Sequence, residues 1–437
     1  MKALSRKHRR TAKVITTAIL LTLTPSLLPA GDQAEAAHDW LVTFRQNLQH
    51  NLQFWTDHAI DHEYGGVLGT LNREGTPIPP GDKSVVLISR SLWSFSEAYR
   101  RYPDPAYQHM ASECFQFLRD KMWDKQNGGY YCSVTREGKV IDSTKQVNPM
   151  SYVLEGLAEY ALAFQDANAY HEALDLFEVI DRHAHDDKYG GYRIAFTGDW
   201  HWIQDYQDGP NASGSFGRKS YDWHLGLVEA LATLYDVTGD ARVRARLNEL
   251  LDIFVNKIID TQKGYGRYYF TDDWKVADRD GDSNDCEYGL DLEASWLLTE
   301  AAERVGRNQD AKIRRASLAL VDHALRDGFD GEHGGIYRTG PAAGPAANRD
   351  MEWWQQAEAL VAFLNAYQFT GNPRYWHSFE LEAQFVMDRF ADHDYGEWYT
   401  AISHDGKVNT GKVDPWKAPY HMTRACLEVI SRLGRSL

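Results

Sequence analysis

Residues 64–67 read Tyr64-Gly65-Gly66-Val67, and the glycine pair returns in Asn127-Gly128-Gly129-Tyr130 and in Tyr189-Gly190-Gly191-Tyr192. Weaker copies follow as Gly264-Tyr265-Gly266-Arg267-Tyr268, His333-Gly334-Gly335-Ile336-Tyr337 and Tyr395-Gly396-Glu397-Trp398. Counted from one glycine of each copy, the intervals are 63, 62, 74, 70 and 62 residues. A period of this length is the signature of a repeat architecture. The 437-residue chain is therefore predicted to consist of six similar units.

Amphipathic stretches fill the intervals between the glycine copies. Residues 38–60, 106–123 and 241–259 precede a copy, and residues 84–99, 151–164, 223–235, 292–302 and 354–367 follow one. The last of these places its apolar residues at helical spacing. Glycine pairs end a helix and permit the positive φ of a turn. Each unit is therefore predicted to be a helix, a short hairpin and a second helix.

Six such units predict an all-α fold with twelve helices. An open solenoid requires polar capping repeats at its ends, and the sequence shows none. We therefore predict that residues 38–437 close into a single (α/α)6 barrel. The second helix of each unit is then the inner one. Its N-terminus, with free N–H groups and a partial positive charge, lies beside the hairpins at the mouth of the barrel.

Residues 1–37 have the organisation of a secretory signal peptide. Six Lys or Arg come first, an apolar run covers residues 14–30, and Ala34-Glu35-Ala36 has the small-x-small pattern of a cleavage site. We predict cleavage near Ala36–Ala37 and an exported protein, periplasmic or secreted. Residues 38–437 then hold 41 basic and 60 acidic side chains, a net charge of −19. This charge argues against nucleic acid or an anionic membrane as the partner of the mature form.

Two other features carry less information. Cys114, Cys132, Cys286 and Cys426 form no C-x-x-C motif and are predicted to be free thiols. The acidic segment 278–285 resembles a calcium loop, but its glycine stands at position four and position twelve is Gly289, which departs from the EF-hand pattern. We predict a solvated loop there, and no metal site in the protein.

The first turns of the inner helices supply the candidate site residues. The chain has 14 Trp, 24 Tyr and 17 Phe, which suits a large core or a carbohydrate site, whose aromatic rings stack on sugars. Charged groups at the mouth bind hydroxyls and transfer protons. The residues of these types in the six first turns are Arg90, Asp222, Trp223, His224, Glu287, Tyr288, Asp291, Glu293, Glu352, Trp353, Trp354, Glu358, Trp416, Tyr420 and His421.

Several of these stretches resemble the N-acylglucosamine 2-epimerase superfamily, and most closely its cellobiose 2-epimerase branch. The resemblance implies an (α/α)6 barrel and a cofactor-free epimerase or isomerase of reducing sugars, in which histidines move the proton next to the carbonyl group. It rests on Ser89-Arg90-Ser91-Leu92-Trp93, Val228-Glu229-Ala230, Asp291-Leu292-Glu293-Ala294-Ser295-Trp296-Leu297-Leu298, Trp353-Trp354-Gln355-Gln356-Ala357-Glu358-Ala359 and Trp416-Lys417-Ala418-Pro419-Tyr420-His421.

The resemblance also implies roles for individual residues. Arg90 corresponds to an arginine that binds the carbonyl-side oxygens, and His421 to a catalytic histidine. The pocket carboxylates correspond to Glu293 and Glu358, and the ring-stacking tryptophans to Trp354 and Trp416.

Two positions depart from the family pattern. Leu290 stands where the family has its other catalytic histidine, and Gly226 stands where it has a further pocket histidine; His224 lies two residues earlier. Epimerisation returns a proton to the face opposite the one it left, which requires two acid/base groups or one mobile group. Leucine can be neither.

We therefore predict a sugar epimerase or aldose–ketose isomerase that acts on a mono- or oligosaccharide without a cofactor. The alternatives are a non-catalytic sugar-binding homologue and a glycoside hydrolase or lyase with paired carboxylates, which lie about 6.5–9.5 Å apart in an inverting enzyme. The predicted catalytic residues are His421, Glu293, His224 and Glu358. The predicted substrate-binding residues are Arg90, Asp222, Tyr288, Asp291, Trp353, Trp354, Trp416 and Tyr420.

Overall fold

The computed structural model describes residues 31–204, 218–277 and 285–435, with side chains from residue 34 onward. These residues form twelve α-helices in alternating outer and inner positions. The outer helices are α1 (Gly31–His58), α3 (Pro105–Phe117), α5 (Ala167–Ala184), α7 (Ala241–Ile253), α9 (Ala311–His323) and α11 (Pro373–Phe385). The inner helices are α2 (Val85–Arg101), α4 (Val147–Phe164), α6 (Tyr221–Thr238), α8 (Tyr288–Arg304), α10 (Trp353–Thr370) and α12 (Tyr420–Gly434).

The inner helices form a closed ring. In chain order each packs against the next, and α12 packs against both α10 and α2. Outer helices α3, α5, α7, α9 and α11 each pack against the inner helix that precedes them, and α1 takes the remaining place against α12. The predicted (α/α)6 barrel is thus confirmed, and α1 covers the last inner helix, α12.

Short antiparallel strands join neighbouring units at the mouth. The prediction was a hairpin within each unit, but most pairs link the strand before an inner helix to the following unit. These pairs are β1 (Lys83–Ser84) with β2 (Ser133–Val134), β4 (Lys145–Gln146) with β5 (Ala195–Phe196), β6 (Lys219–Ser220) with β9 (Tyr269–Phe270), β10 (Asp285–Glu287) with β11 (Thr339–Pro341), and β12 (Met351–Glu352) with β13 (Ala401–Ile402). β3 (Val140–Asp142) and β14 (Val408–Asn409) extend two of these sheets, and β7 (Ile259–Asp260) pairs with β8 (Tyr265–Gly266).

Each glycine copy is a turn built on an aspartate. In the first unit the N–H of Gly65 donates to the carbonyl oxygen of Asp61 at 2.8 Å, and Gly65 has φ +82°. The same bond, 2.7–2.9 Å long, recurs at Asp124, Asp186, Asp260, Asp330 and Asp392. Since only this conformation brings the chain back between the outer and inner helices, the glycine period marks the six units.

Buried ion pairs attach several of these turns to the inner helices. Lys83, Lys145 and Lys219 each stand two residues before an inner helix, and their ammonium groups lie 2.9 Å from Asp61, Asp124 and Asp186. Lys412 makes the equivalent contact with Asp392 at 3.0 Å. All four lysines are fully buried. These pairs therefore fix the height at which the inner helices enter the barrel, and with it the position of their first turns.

Parts of the sequence predictions fall outside the described residues. Residues 1–30, most of the predicted signal peptide, are among these, and so is the acidic segment 278–285 apart from its last residue. In the described part of the chain, no helix has the length and apolar character needed to cross a membrane. Cys114, Cys132 and Cys426 are free thiols.

Candidate active site

The side chains at the centre of the barrel come from one equivalent position on each inner helix. We count from a reference residue just before each inner helix, namely Lys83, Lys145, Lys219, Cys286, Met351 and Lys417. The seventh residue after each reference is Arg90, Tyr152, Gly226, Glu293, Glu358 and Arg424 in turn. Residues three or four apart share a helix face, so the fourth residues, which include Leu290 and His421, lie on the same face, nearer the mouth.

His421 and Glu358 form a hydrogen-bonded pair between α12 and α10. Nδ1 of His421 lies 2.7 Å from Oε1 of Glu358. The other oxygen of Glu358 accepts the indole N–H of Trp296 at 2.9 Å. All three side chains are buried. The ring is therefore held by Nδ1, and Nε2 is the nitrogen left for substrate chemistry. We call these two residues the His421–Glu358 pair.

Arg424 connects the His421–Glu358 pair to the rest of the barrel interior. Its Nη2 donates to Oε1 of Glu358 at 2.6 Å and also to Oε1 of Glu293. Its Nη1 donates to Glu229 and to the hydroxyl of Tyr420, the latter at 3.0 Å. One guanidinium thus contacts three carboxyl groups from three different helices.

The carboxyl groups around Arg424 differ in protonation. Burial raises the pKa of Glu293 to about 8, with the charge of Glu358 adding to the effect. Burial alone would also raise the pKa of Glu358, but the charge of Arg424 and the hydrogen bond from His421 hold it well below its usual range. At neutral pH Glu293 is therefore protonated and Glu358 is ionised.

His421 itself is neutral at pH 7. Burial lowers the pKa of its imidazole, and the charge of Arg90 lowers it further, against the opposing effect of Glu358. A neutral ring whose Nδ1–H donates to Glu358 has an unprotonated Nε2. The pair can therefore accept a proton at Nε2, and the Glu358 carboxylate then stabilises the imidazolium.

Aromatic rings and donor groups surround His421. The rings of Trp354 and Trp353 lie 5.8 Å and 6.4 Å from the imidazole, centroid to centroid. The Arg90 guanidinium lies 4.1 Å from the centroid of the Tyr152 ring and donates to the carbonyl oxygen of Trp416 at 2.9 Å. Among the described residues, Nε of Arg90 and Nε1 of Trp353 are buried without a hydrogen-bond partner. Both donors are thus available to a ligand.

Two further predicted substrate-binding residues take part in this arrangement. Tyr420 is buried, and its hydroxyl donates to Glu155 at 2.7 Å. The side chain of Trp416 is 48% exposed at the mouth, where a sugar ring can reach it. The structure therefore brings together His421, Glu293, Glu358, Arg90, Trp353, Trp354, Trp416 and Tyr420.

His224 is not brought to the pair. Its Nδ1 lies 2.7 Å from the carbonyl oxygen of Ser220, and its Nε2 accepts the N–H of Tyr192 at 3.0 Å. Both ring nitrogens are thus held by the main chain, and the ring is fully buried. This placement gives no support to the predicted catalytic role.

His224 is the fifth residue after its reference, Lys219, and the side chains at this position in other units also bind main-chain N–H groups. Asp291 is the fifth residue of its unit and accepts the N–H of Gly266 at 2.9 Å, and Gln356 is the fifth of its own and accepts the N–H of Ile336 at 2.7 Å. These side chains hold the glycine turns rather than the pocket. Tyr288 also faces outward, with its ring 5.7 Å from that of His323 on α9. Neither Asp291 nor Tyr288 joins the predicted substrate-binding group.

Asp222 lies at the rim, within a second acidic group. Burial raises the pKa of Glu287 to about 7, with Arg338 opposing the effect and the carboxylates of Glu352 and Asp222 adding to it. Glu352 also accepts the indole N–H of Trp354 at 2.8 Å. A cleft of about 500 Å³ lies beside Arg338 and Glu352 and extends along residues 401–410. Through Glu352, the acidic rim adjoins the two tryptophans beside His421, Trp353 and Trp354. We call these two tryptophans the aromatic wall.

The structure places both departures from the family pattern. A Cβ atom on Gly226 would lie 2.7 Å from the side-chain oxygens Oδ1 of Asn148 and Oγ of Ser151, so a side chain at this position requires these two side chains to move. Leu290 is buried on α8, at the fourth register position that His421 occupies on α12. The pocket thus has one histidine at this level among the described inner helices.

The sequence analysis missed Arg424 and Glu155, and it gave no role to Glu229, which it quoted only within a family stretch. Each is a charged residue within an apolar helical stretch, which is costly unless it is paired. The same signal is present at Arg90 and at Arg424, three residues after His421.

Arg424 also bears on metal binding. Glu293, Glu358 and His421 present ligand atoms within 4.8 Å of one another, but the guanidinium already supplies a cation to both carboxyl groups.

Known proteins resemble this chain in sequence and in fold. The family model for N-acylglucosamine 2-epimerase matches residues 65–425. Cellobiose 2-epimerase of Bacteroides fragilis is 31% identical over 382 residues, which cover 87% of this chain and 95% of that protein. D-mannose isomerase of Marinomonas mediterranea is 23% identical over 409 residues, covering 91% and 98%. The structure of cellobiose 2-epimerase from Bacillus thermoamylovorans superposes with a TM-score of 0.84 at 28% identity, covering 90% of this chain and all of that one.

Proposed function

The chain belongs to the N-acylglucosamine 2-epimerase family, and we propose that it is an exported, cofactor-free aldose–ketose isomerase of a mono- or oligosaccharide. The curated relatives include both sugar epimerases and a sugar isomerase, so the chain is an enzyme of this class. The observation that carries the choice between the two reactions is the single His421–Glu358 pair, 2.7 Å between Nδ1 and Oε1, with Leu290 at the matching place on α8.

Isomerisation requires one base on one face of the open-chain sugar. Nε2 of His421 takes the proton from C2, and an enediolate forms as the C1 oxygen accepts negative charge. The same imidazolium then returns the proton to C1 on the same face. A hydroxyl proton moves from the C2 oxygen to the C1 oxygen in the same sequence, so aldose and ketose interconvert without oxidant or reductant.

Glu293 is suited to the transfer between the oxygens. It is protonated at neutral pH because burial raises its pKa to about 8, and its Oε1 lies 3.9 Å from Nδ1 of His421. A neutral carboxyl group can donate to one oxygen and accept from the other. Arg90 presents an unpartnered Nε and a positive charge to the developing enediolate, and charge placed in advance stabilises such an intermediate.

Epimerisation makes a different demand. The proton must return to C2 from the face opposite His421, and the leucine at position 290 carries no exchangeable proton. The buried face at Leu290 therefore favours a ketose product over the 2-epimer.

The hydrolase alternative fits the carboxyl groups less well. Glu293 and Glu358 both accept from the same Nη2 atom of Arg424, so the two groups face the guanidinium rather than opposite sides of a glycosidic bond. Both oxygens of Glu358 also have donors, from His421 and Trp296. Carboxylate oxygens of the two groups lie within 4.8 Å of each other, closer than the spacing of about 6.5–9.5 Å expected for an inverting pair.

The decisive experiment follows sugars in D₂O by NMR. D-glucose, D-mannose, D-fructose and cellobiose are incubated with the enzyme and with His421→Gln between about pH 6 and 9, where histidine bases operate. We expect exchange at C2 and a ketose product from at least one aldose, and loss of both in the variant. A 2-epimer without ketose would contradict isomerisation. New reducing ends without exchange would indicate a hydrolase, and binding alone a sugar-binding homologue.

The export component rests on the pattern of residues 1–37 alone. Cleavage near Ala36–Ala37 would leave α1 to begin at a residue that is buried in the core. N-terminal sequencing of the protein from the periplasm or medium of cells that express the full chain tests it. We expect a start near residue 37. Protein confined to the cytosol with Met1 retained would overturn this component.

A further inference from the structure

On the basis of this function, we propose that Arg424 is a positioning residue that decides which carboxyl group pairs with His421. Two carboxyl groups lie within reach of Nδ1: Oε1 of Glu358 at 2.7 Å and Oε1 of Glu293 at 3.9 Å. Both accept from the same nitrogen of Arg424. The guanidinium therefore holds Glu358 against the imidazole and keeps Glu293 apart.

The hydrogen bonds around the two carboxyl groups are unequal. Glu358 accepts from His421, Trp296 and Arg424. In the described chain, the hydrogen bond to Glu293 comes from Arg424. Negative charge is therefore concentrated on Glu358, and the proton shared by two close carboxyl groups resides on Glu293.

The guanidinium is itself fixed in place. Its central carbon lies 5.1 Å from the ring centroid of Trp296 and 4.6 Å from that of Tyr420. Glu229 and the Tyr420 hydroxyl hold its other end. A planar group held by stacking and by several directed bonds orients its partners in a way that a lysine cannot reproduce.

Charged and titratable groups from all six inner helices form the network around His421 and Arg424. The cations are Arg424 on α12 and Arg90 on α2, and the carboxyl groups are Glu358 on α10, Glu293 on α8, Glu229 on α6 and Glu155 on α4. Tyr420 and Tyr152 complete the set, and α1 packs on the other face of α12. Removal of Arg424 takes away a charge that lowers the pKa of His421 and leaves Arg90 as the cation of this set, beside the ionised Glu358. The balance then shifts toward the protonated imidazole.

Nitrogen-15 NMR of the histidine rings tests this without any sugar. His421→Gln assigns the His421 signals by their disappearance. In the unmodified enzyme we expect a single tautomer with the proton on Nδ1. In Arg424→Met we expect the protonation midpoint of His421 to rise by about one pH unit or more, the size of shift that a nearby charge produces. An unchanged midpoint and tautomer in folded Arg424→Met would overturn the proposal.

Kinetics supply a second readout. We expect Arg424→Met to lower kcat about 100-fold, the cost of a misplaced catalytic group, with KM nearly unchanged and the acid limb of the pH profile moved upward. Arg424→Lys should lower kcat with a smaller shift of that limb, because it keeps the charge but loses the planar fork. An acid limb that moves equally in both variants would contradict the assignment.

Arg432 provides a matched control on the same helix. It is also buried, and it pairs with Glu300 at 2.6 Å and Asn365 at 3.0 Å, away from the His421–Glu358 pair. Arg432→Met should lower Tm and leave the pH profile unchanged. If Arg424→Met fails to fold, Arg424→Met combined with Glu229→Gln removes an ion pair as a unit and takes its place. If no sugar is turned over, the proposed function fails while the NMR result still decides the role of Arg424.

Discussion

Leu290 occupies on α8 the register position that His421 occupies on α12, each the fourth residue after its reference. A leucine at this level cannot exchange a proton, so the side chain limits which face of a sugar can be protonated. Because Glu293 lies one helical turn further along α8, a histidine at position 290 would have a carboxyl partner available. The choice between isomerisation and epimerisation is therefore concentrated in one residue.

Leu290→His is expected to add a 2-epimer to the products. The new imidazole would deliver a proton to C2 from the side of α8 while His421 still removes it from the side of α12. Product NMR with mannose or glucose in D₂O measures the ratio of 2-epimer to ketose. Leu290→Met is the matched control, since it conserves volume and adds no acid or base, and it should leave the ratio unchanged. A histidine variant that is stable and makes ketose alone would refute this account.

At the scale of the elements, glutamates on two outer helices bind the main chain of glycine turns, and their effects on stability depend differently on pH. Glu382 on α11 accepts the N–H of Gly335 at 2.9 Å, and Glu249 on α7 accepts the N–H of Gly191 at the same distance. Burial raises the pKa of Glu382 to about 8. Burial would also raise the pKa of Glu249, but hydrogen bonds from His185 and the Gly191 main chain lower it to about 2. The two contacts are equivalent in geometry, but their contributions to the stability of the fold change with pH in opposite directions.

Glu382→Gln is expected to raise Tm at pH 9 relative to the unmodified protein, with little effect near pH 5. A carboxyl group with a raised folded-state pKa stabilises the fold at low pH, and this contribution is lost as pH rises through about 8. Glu249→Gln is the counterpart and should lower Tm at pH 7, because the ionised group contributes above its usual pKa. Thermal unfolding across this pH range tests both. A Tm difference for Glu382→Gln that does not grow with pH would contradict it.

Lys145→Met is expected to lower the free energy of unfolding by about 3–5 kcal/mol, the cost of leaving a buried charge without its partner. Its ammonium group lies 2.9 Å from Asp124, and both side chains are buried. Urea denaturation measures the change. The control is Arg242→Met, which removes an exposed pair with Glu178 and should cost less than about 1 kcal/mol. Equal losses in the two variants would show that the buried pairs do not fix the inner helices.

At the scale of the whole molecule, the sequence determines the ring but not the direction in which every polar side chain points. The glycine period predicts six units, and helical spacing predicts their inner helices. His421, Glu293 and Glu358 could be identified because they stand at inward-facing register positions. His224 and Asp291 stand at the fifth position and hold glycine turns instead. Residue type alone does not distinguish a side chain that faces the pocket from one that holds a glycine turn, because a shift of one residue along a helix rotates the side chain by about 100°.

Closure of the ring brings α1 and the segment before α12 together beside the site. Trp55 on α1 donates to Glu397 at 2.6 Å, and Glu397 accepts from Lys417 at 3.0 Å. The Lys417 ammonium lies 5.6 Å from the ring centroid of Trp353, the tryptophan beside His421. Glu397 also has φ +60°, at a position that is glycine in most other units. The first helix therefore supports the aromatic wall through a strained and buried glutamate.

Trp55→Phe is expected to lower the free energy of unfolding by about 1.5–3 kcal/mol, the range for a hydrogen bond to a charged group. It should also raise KM more than it lowers kcat, because the proposed function assigns sugar binding to Trp353 and proton transfer to the His421–Glu358 pair. Trp40→Phe is the matched control on α1, since Trp40 packs on Phe44 and Phe379 through its ring. Urea denaturation and sugar kinetics measure the two effects. If Trp55→Phe is destabilised and its KM is unchanged, α1 closes the barrel without supporting the sugar-binding wall.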